Sequence, residues 1–126
     1  MDIIKLANYN NIYVHSSVEK ELSKLLKGWS DSAKFQQWLF DRFHEIDDVY
    51  FDYRNRSRVF GYIDEFFAIK FRNKTKNLRL LCAVENEKIY VLLCAFDEKK
   101  SADYLNAKRL ARDRFKKYKE EIGNEK

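Results

Sequence analysis

The stretch LRLLCAVENEKIYVLLCAFDEKK, from Leu78 to Lys100, decides how the chain is read. Leu78 to Val84 and Ile89 to Phe96 are continuous apolar runs of strand length, as expected of strands covered on both faces. The polar residues between them predict a hairpin that turns about Asn86-Glu87. The second run then breaks into Asp97, Glu98, Lys99 and Lys100. A strand buried on both faces can meet water only at the rim of its sheet, so these charges mark where the chain surfaces. The hairpin would set Cys82 opposite Val91 and Cys94 opposite Arg79. The thiols would then not face each other, and two reduced core cysteines are expected. A metal site built on them would need further Cys or His at ligand spacing, which the sequence does not offer.

Outward from the hairpin, Ser101 supplies an N-cap and Asp103 a first-turn carboxylate for a helix to about Glu121. Its packing stripe is Tyr104, Ala107, Ala111, Phe115, Tyr118 and Ile122, and Lys108, Arg112, Lys116 and Lys119 form a basic stripe. On the other side, Phe67, Ile69 and Phe71 alternate with Ala68, Lys70 and Arg72, a strand with one apolar and one basic face. Further back, DDVYFDYRNRSRVFGYID keeps neither period and reads as irregular with one short strand. Before it, Phe35, Trp38, Leu39, Phe43 and Ile46 recur at helical steps after a cap at Ser30 or Ser32. An earlier helix opens on the capping box Ser16-Ser17-Val18-Glu19 and stops at Gly28, and Ile12-Tyr13-Val14 reads as an opening strand. The expected fold is α+β: one domain over residues 1–126, with a small curved antiparallel sheet, two N-terminal helices and a C-terminal helix, packed mainly on one face.

With 126 residues, no proline, three glycines and no repeat, one compact unit is implied. The balance of 25 Lys and Arg against 20 Asp and Glu gives +5 at neutral pH, which favours a polyanion or an acidic protein as partner. No apolar segment is long enough to span a bilayer, and the first residues lack the order of a signal peptide, so a cytoplasmic protein with no membrane contact is expected.

Cations meet near the hairpin's open end. Lys70 and Arg72 share a strand face and Arg79 opens the next strand. Here the chain resembles the RelE/ParE toxin superfamily, and particularly its HigB-like branch of phage and plasmid toxins. That branch carries an aromatic residue before a Glu-Leu-Arg strand, a Tyr-Arg opening the next strand, an apolar hairpin, then Phe-x-Lys-Lys and a basic helix. FFAIKFRNKTKNLRLLCAV and VLLCAFDEKK run in the same order over Phe66 to Lys100. Phe67 matches the aromatic site, Lys70 the arginine of Glu-Leu-Arg, and Arg79 the arginine of Tyr-Arg. Lys99 and Lys100 match the terminal pair, displaced by one residue. Ala68 stands where the branch has Glu, Leu78 replaces Tyr, and the Thr-Gln-Lys-Thr-Pro run after the lysines is absent.

The resemblance implies a type II toxin that cuts messenger RNA, typically on the ribosome, and is neutralised by a cognate antitoxin. Such endoribonucleases (mRNA interferases) use the ribose 2′-hydroxyl as nucleophile and need neither metal nor cofactor. Arg79, Lys70 and Arg72 are the expected catalytic group, with Lys99, Lys100, Arg54 and Arg56 binding the RNA backbone. Proton acceptors to consider are Asp97, Glu98, Tyr104 and Tyr118, while His15 and His44 read as structural. Tyr50, Phe51, Tyr53, Arg54, Arg56, Arg58, Phe60 and Tyr62 interleave aromatics with arginines, either to stack bases or to cover the second helix. Two alternatives stand beside the nuclease. One is a non-catalytic RNA-binding domain, since three strands and a helix resemble double-stranded RNA-binding modules. The other is a ParE-type gyrase inhibitor.

Overall fold

The computed structural model describes residues 2–125. The elements run β1 (Ile3–Lys5), β2 (Ile12–His15), α1 (Ser16–Leu26), α2 (Ser32–Asp47), β3 (Phe60–Ile63), β4 (Phe66–Arg72), β5 (Asn77–Glu85), β6 (Ile89–Asp97) and α3 (Ser101–Glu125). The six strands form one sheet in the order β1-β2-β6-β5-β4-β3. Two corrections to the expected fold follow. Strands precede the first helices, and the sheet is mixed, because β2 lies parallel to β6 while every other neighbour is antiparallel. β1, the added strand, is short and lies at an edge, too brief for its alternation to show in the sequence.

Helices cover both faces, not mainly one. Val18 of α1 and Phe35, Leu39, Phe43 and Ile46 of α2 pack on Phe67, Ile69, Leu78, Leu80, Cys82 and Leu92. Ala107 and Ala111 of α3 pack on the opposite face against Phe66, Ala68, Leu81, Val91 and Leu93. The continuous apolar runs of β5 and β6 are what two covered faces require. Phe67 is fully buried among the rings of Phe60, Tyr62 and Tyr90, centroids 5.5 to 5.9 Å away. Its truncation to alanine would cost about 3–5 kcal/mol, so the residue matched to the toxin aromatic belongs to the core.

The hairpin turns as expected. Asn86 and Glu87 both have positive φ, and the Lys88 amide donates to the Glu85 carbonyl. Its register differs from the expected one. Cys82 lies opposite Leu92 and Cys94 opposite Leu81, which leaves Leu93 as an extra residue in β6. This bulge places Leu93 and Cys94 together on the α3 face, while Cys82 stays on the α1/α2 face. Both cysteines are free, and burial pushes the Cys82 thiol up, and that of Cys94 to about 12. With the sheet between them they cannot share a metal.

Beyond β2, the open edge of β6 is closed by side chains. Glu21 of α1 accepts from the Ala95 amide at 3.1 Å, and Arg114 of α3 donates to the Leu93 carbonyl at 2.7 Å. The two also form an ion pair at 2.7 Å, so one bridge satisfies the bulged backbone and ties helices from opposite faces. Helix ends differ in detail from expectation. The α1 cap is His15, whose Nδ1 accepts from the Ser17 amide, and Ser16 is already helical. Asp31 precedes α2 without a side-chain cap, whereas Asp103 accepts from the amides of Lys99 and Lys100. Gly28 takes the left-handed conformation after α1 with φ of 71°. Among the described residues no helix is long and apolar enough to cross a membrane.

Candidate functional site

Register creates the site. β4 and β5 place Lys70 opposite Arg79 and Arg72 opposite Asn77. Lys70, Arg72 and Arg79 continue the α3-facing rows of Phe66, Ala68 and Leu81, but past those residues the helix no longer covers the sheet. What begins as core ends as an open shelf.

A cleft of about 570 Å³ takes in this shelf, with Arg58, Lys70, Arg72 and Arg79 on its cationic side and, on its apolar side, Val59 together with Trp38 and Phe71, which pack with the α1/α2 face. The three expected catalytic residues therefore meet. The Arg79 side chain is 18% exposed, and its Nε donates to Glu98 Oε2 at 3.1 Å. Its terminal nitrogens have no hydrogen-bond partner among the described residues, so the fork that matches a phosphate or carboxylate remains available. Lys70 Nζ donates to the Ser57 carbonyl at 3.3 Å. Burial, and then the neighbouring guanidinium groups of Arg79 and Arg56, lower its pKa. The Ser57 hydroxyl accepts from the amides of Val59 and Phe60, shaping the loop that carries Arg56 and Arg58.

The expected RNA-backbone residues divide. Arg56 lies close enough to Lys70 to affect its charge. Arg54 does not join the cleft; it pairs with Asp52 at 3.0 Å and lines a separate hollow with Tyr50, Tyr53 and Lys88 beside the β5-β6 turn. Three carboxylates, Asp48, Asp52 and Glu87, also line that hollow, which makes it a poor place for phosphate. Phe51 meanwhile packs on Phe60 and Tyr90, so part of the aromatic and arginine segment covers the core. Lys99 and Lys100 stand exposed at the β6 exit, where Lys99 Nζ is 3.9 Å from Asp97.

Of the four expected proton acceptors, Glu98 alone bonds to a cleft residue among the described residues. Asp97 holds the Asn77 amide at 2.9 Å, and Tyr118 packs beneath α3. The Tyr104 hydroxyl donates to Asp64, and burial and that carboxylate raise its pKa. His15 caps α1 and His44 lies against the Tyr9 ring, both structural roles. Arg58 and Trp38 line the cleft although neither is among the expected catalytic or RNA-binding residues. Arg58 continues the two-residue step of Arg54 and Arg56, a pattern that could have marked it, whereas Trp38 reads only as part of a packing stripe. The two positions that depart from the toxin pattern are core here: Ala68 is 0% exposed and Leu78 1%. A polar side chain at either would be buried without water.

Comparison with protein-family models, with curated proteins and with solved structures finds no match to this chain.

Proposed function

We propose that the cationic cleft binds an RNA phosphodiester and that the chain is an endoribonuclease toxin of the RelE/HigB-like kind. The observation that carries this reading is the convergence of Arg58, Lys70, Arg72 and Arg79 on one cleft against the single carboxylate of Glu98. An apolar wall beside the cations suits the sugar and base of a nucleotide better than a bare inorganic anion.

In this reading the ribose 2′-oxygen attacks the adjacent phosphorus, forming the O2′–P bond while the P–O5′ bond breaks. Glu98 takes the 2′ proton, and Lys70, whose lowered pKa eases release, supplies one to the departing 5′-oxygen. Negative charge grows on the phosphoryl oxygens as the transition state forms. Arg79 then binds it more tightly through its free fork than it binds the ground state. Arg72, Arg58 and Arg56 hold flanking phosphates, with Lys99 and Lys100 further along the strand. A ribosome would present the message, and an antitoxin would silence the cleft.

Induced expression in a bacterium, with mapping of RNA 5′ ends, tests this. Growth arrest with new 5′ ends in translated messages is expected. DNA-damage signalling without RNA cuts would establish gyrase poisoning instead, and RNA bound but left intact would leave a binding domain.

A further inference from the structure

Lys70 lies across its neighbouring strand in a way the sequence does not foretell. Gly61 of β3 pairs with Ala68, two residues from Lys70 on the same face. A Cβ added at Gly61 would stand 2.9 Å from Lys70 Nζ and 3.5 Å from its Cε. Gly61 has no positive φ, so conformation does not call for glycine. What the missing side chain leaves is a slot, and the end of the lysine fills it, with Nζ bonded to the Ser57 carbonyl.

We propose that Gly61 is the positioning residue of the cleft, its bare backbone letting Lys70 reach sideways so that its ammonium and the Arg79 fork hold one phosphodiester between them. This rests on the phosphodiester reading of the cleft. Lys70 and Arg79 face each other across adjacent strands, so two upright cations would crowd one another. Leaning Lys70 over Gly61 relieves that repulsion and opens room for an anion between the charges. An alanine would displace only the flexible end of the lysine, so the strand pairing should survive.

The test uses a short single-stranded RNA with 2′-O-methyl riboses, which binds without being cut, and NMR titration of the Lys70 side chain, assigned with Lys70→Met. Gly61→Ala should shift the Lys70 titration, because the ammonium leaves the slot, and weaken RNA binding about tenfold, one charge-assisted contact. In the Lys70→Met background it should weaken binding no further. An unmoved lysine titration overturns the proposal, as does an equal loss in that background. Lys70→Arg supplies a second variant: the planar guanidinium keeps the charge but does not fit the slot, so binding should again drop about tenfold. Undiminished binding by Lys70→Arg would also refute it. If the unaltered protein binds no RNA, the phosphodiester reading fails, while the lysine titration still decides whether Gly61 positions the ammonium.

Discussion

Two parts of this molecule are equally basic in sequence and opposite in electrostatic state. Along α3, Lys108 pairs with Asp64 at 2.8 Å, and Arg112 grips Glu65 with two nitrogens at 2.6 and 2.8 Å. Those carboxylates sit in the β3-β4 turn, so the first half of the stripe clamps the helix to the sheet. In the cleft, four cations face one carboxylate. Counting lysines and arginines cannot separate the two, because the acids that neutralise α3 lie more than forty residues earlier in the chain. Excess charge left without partners, rather than charge itself, marks a binding surface.

The contrast can be broken most directly at Arg79. Arg79→Ala should lower RNA cleavage by about two orders of magnitude or more with an unchanged circular dichroism spectrum. Arg112→Ala, the same change on the stripe, should leave cleavage alone, and equal losses in single-turnover assays would erase the distinction. Arg114 sharpens it within one helix. Arg114→Ala strands the half-buried Glu21 carboxylate and the Leu93 carbonyl, and should cost about 2–3 kcal/mol in urea unfolding while sparing RNA affinity. A smaller effect is expected at the cleft rim. Arg72→Gln should reduce the slope of log affinity against log salt by about one, where Arg112→Gln reduces it by nothing.

The mildest prediction concerns pH. Burial, and then Arg114, lower the His15 pKa against the opposing pull of Asp2, Glu21 and Glu121. The unfolded chain therefore takes up a proton that the folded one resists. Stability should be greatest above the ordinary imidazole value and decline as pH falls below it, by at most about 1.4 kcal/mol per pH unit. His15→Asn, which keeps a cap acceptor without titrating, should flatten that decline in urea midpoints measured from pH 7 to 5.

Much of this was legible in the residues. The apolar runs at Leu78 to Val84 and Ile89 to Phe96, the turn at Asn86-Glu87 and the α3 stripe each follow from local period and turn chemistry. So did the meeting of Lys70 with Arg79, since adjacent antiparallel strands bring their open ends together. Arg54 lies away from the cleft, in the hollow beside the β5-β6 turn, because proximity in sequence to Arg56 says nothing about where a loop crosses a sheet end. The bulge at Leu93 was hidden for a related reason: an extra residue inside a uniformly apolar run leaves no break in pattern.

Sequence alone determined the three helices and the longer strands, that the hairpin strands are buried on both faces, and that cations gather at one end of the hairpin. Local hydrogen bonding and side-chain periodicity suffice for those. Tertiary structure decided which face each helix takes, how β2 joins β6 in parallel, which basic residues find carboxylates, and where Lys70 lies once Gly61 makes room. Each of these is set by contacts between residues far apart in the chain, whose geometry exists only after the sheet has closed around its core.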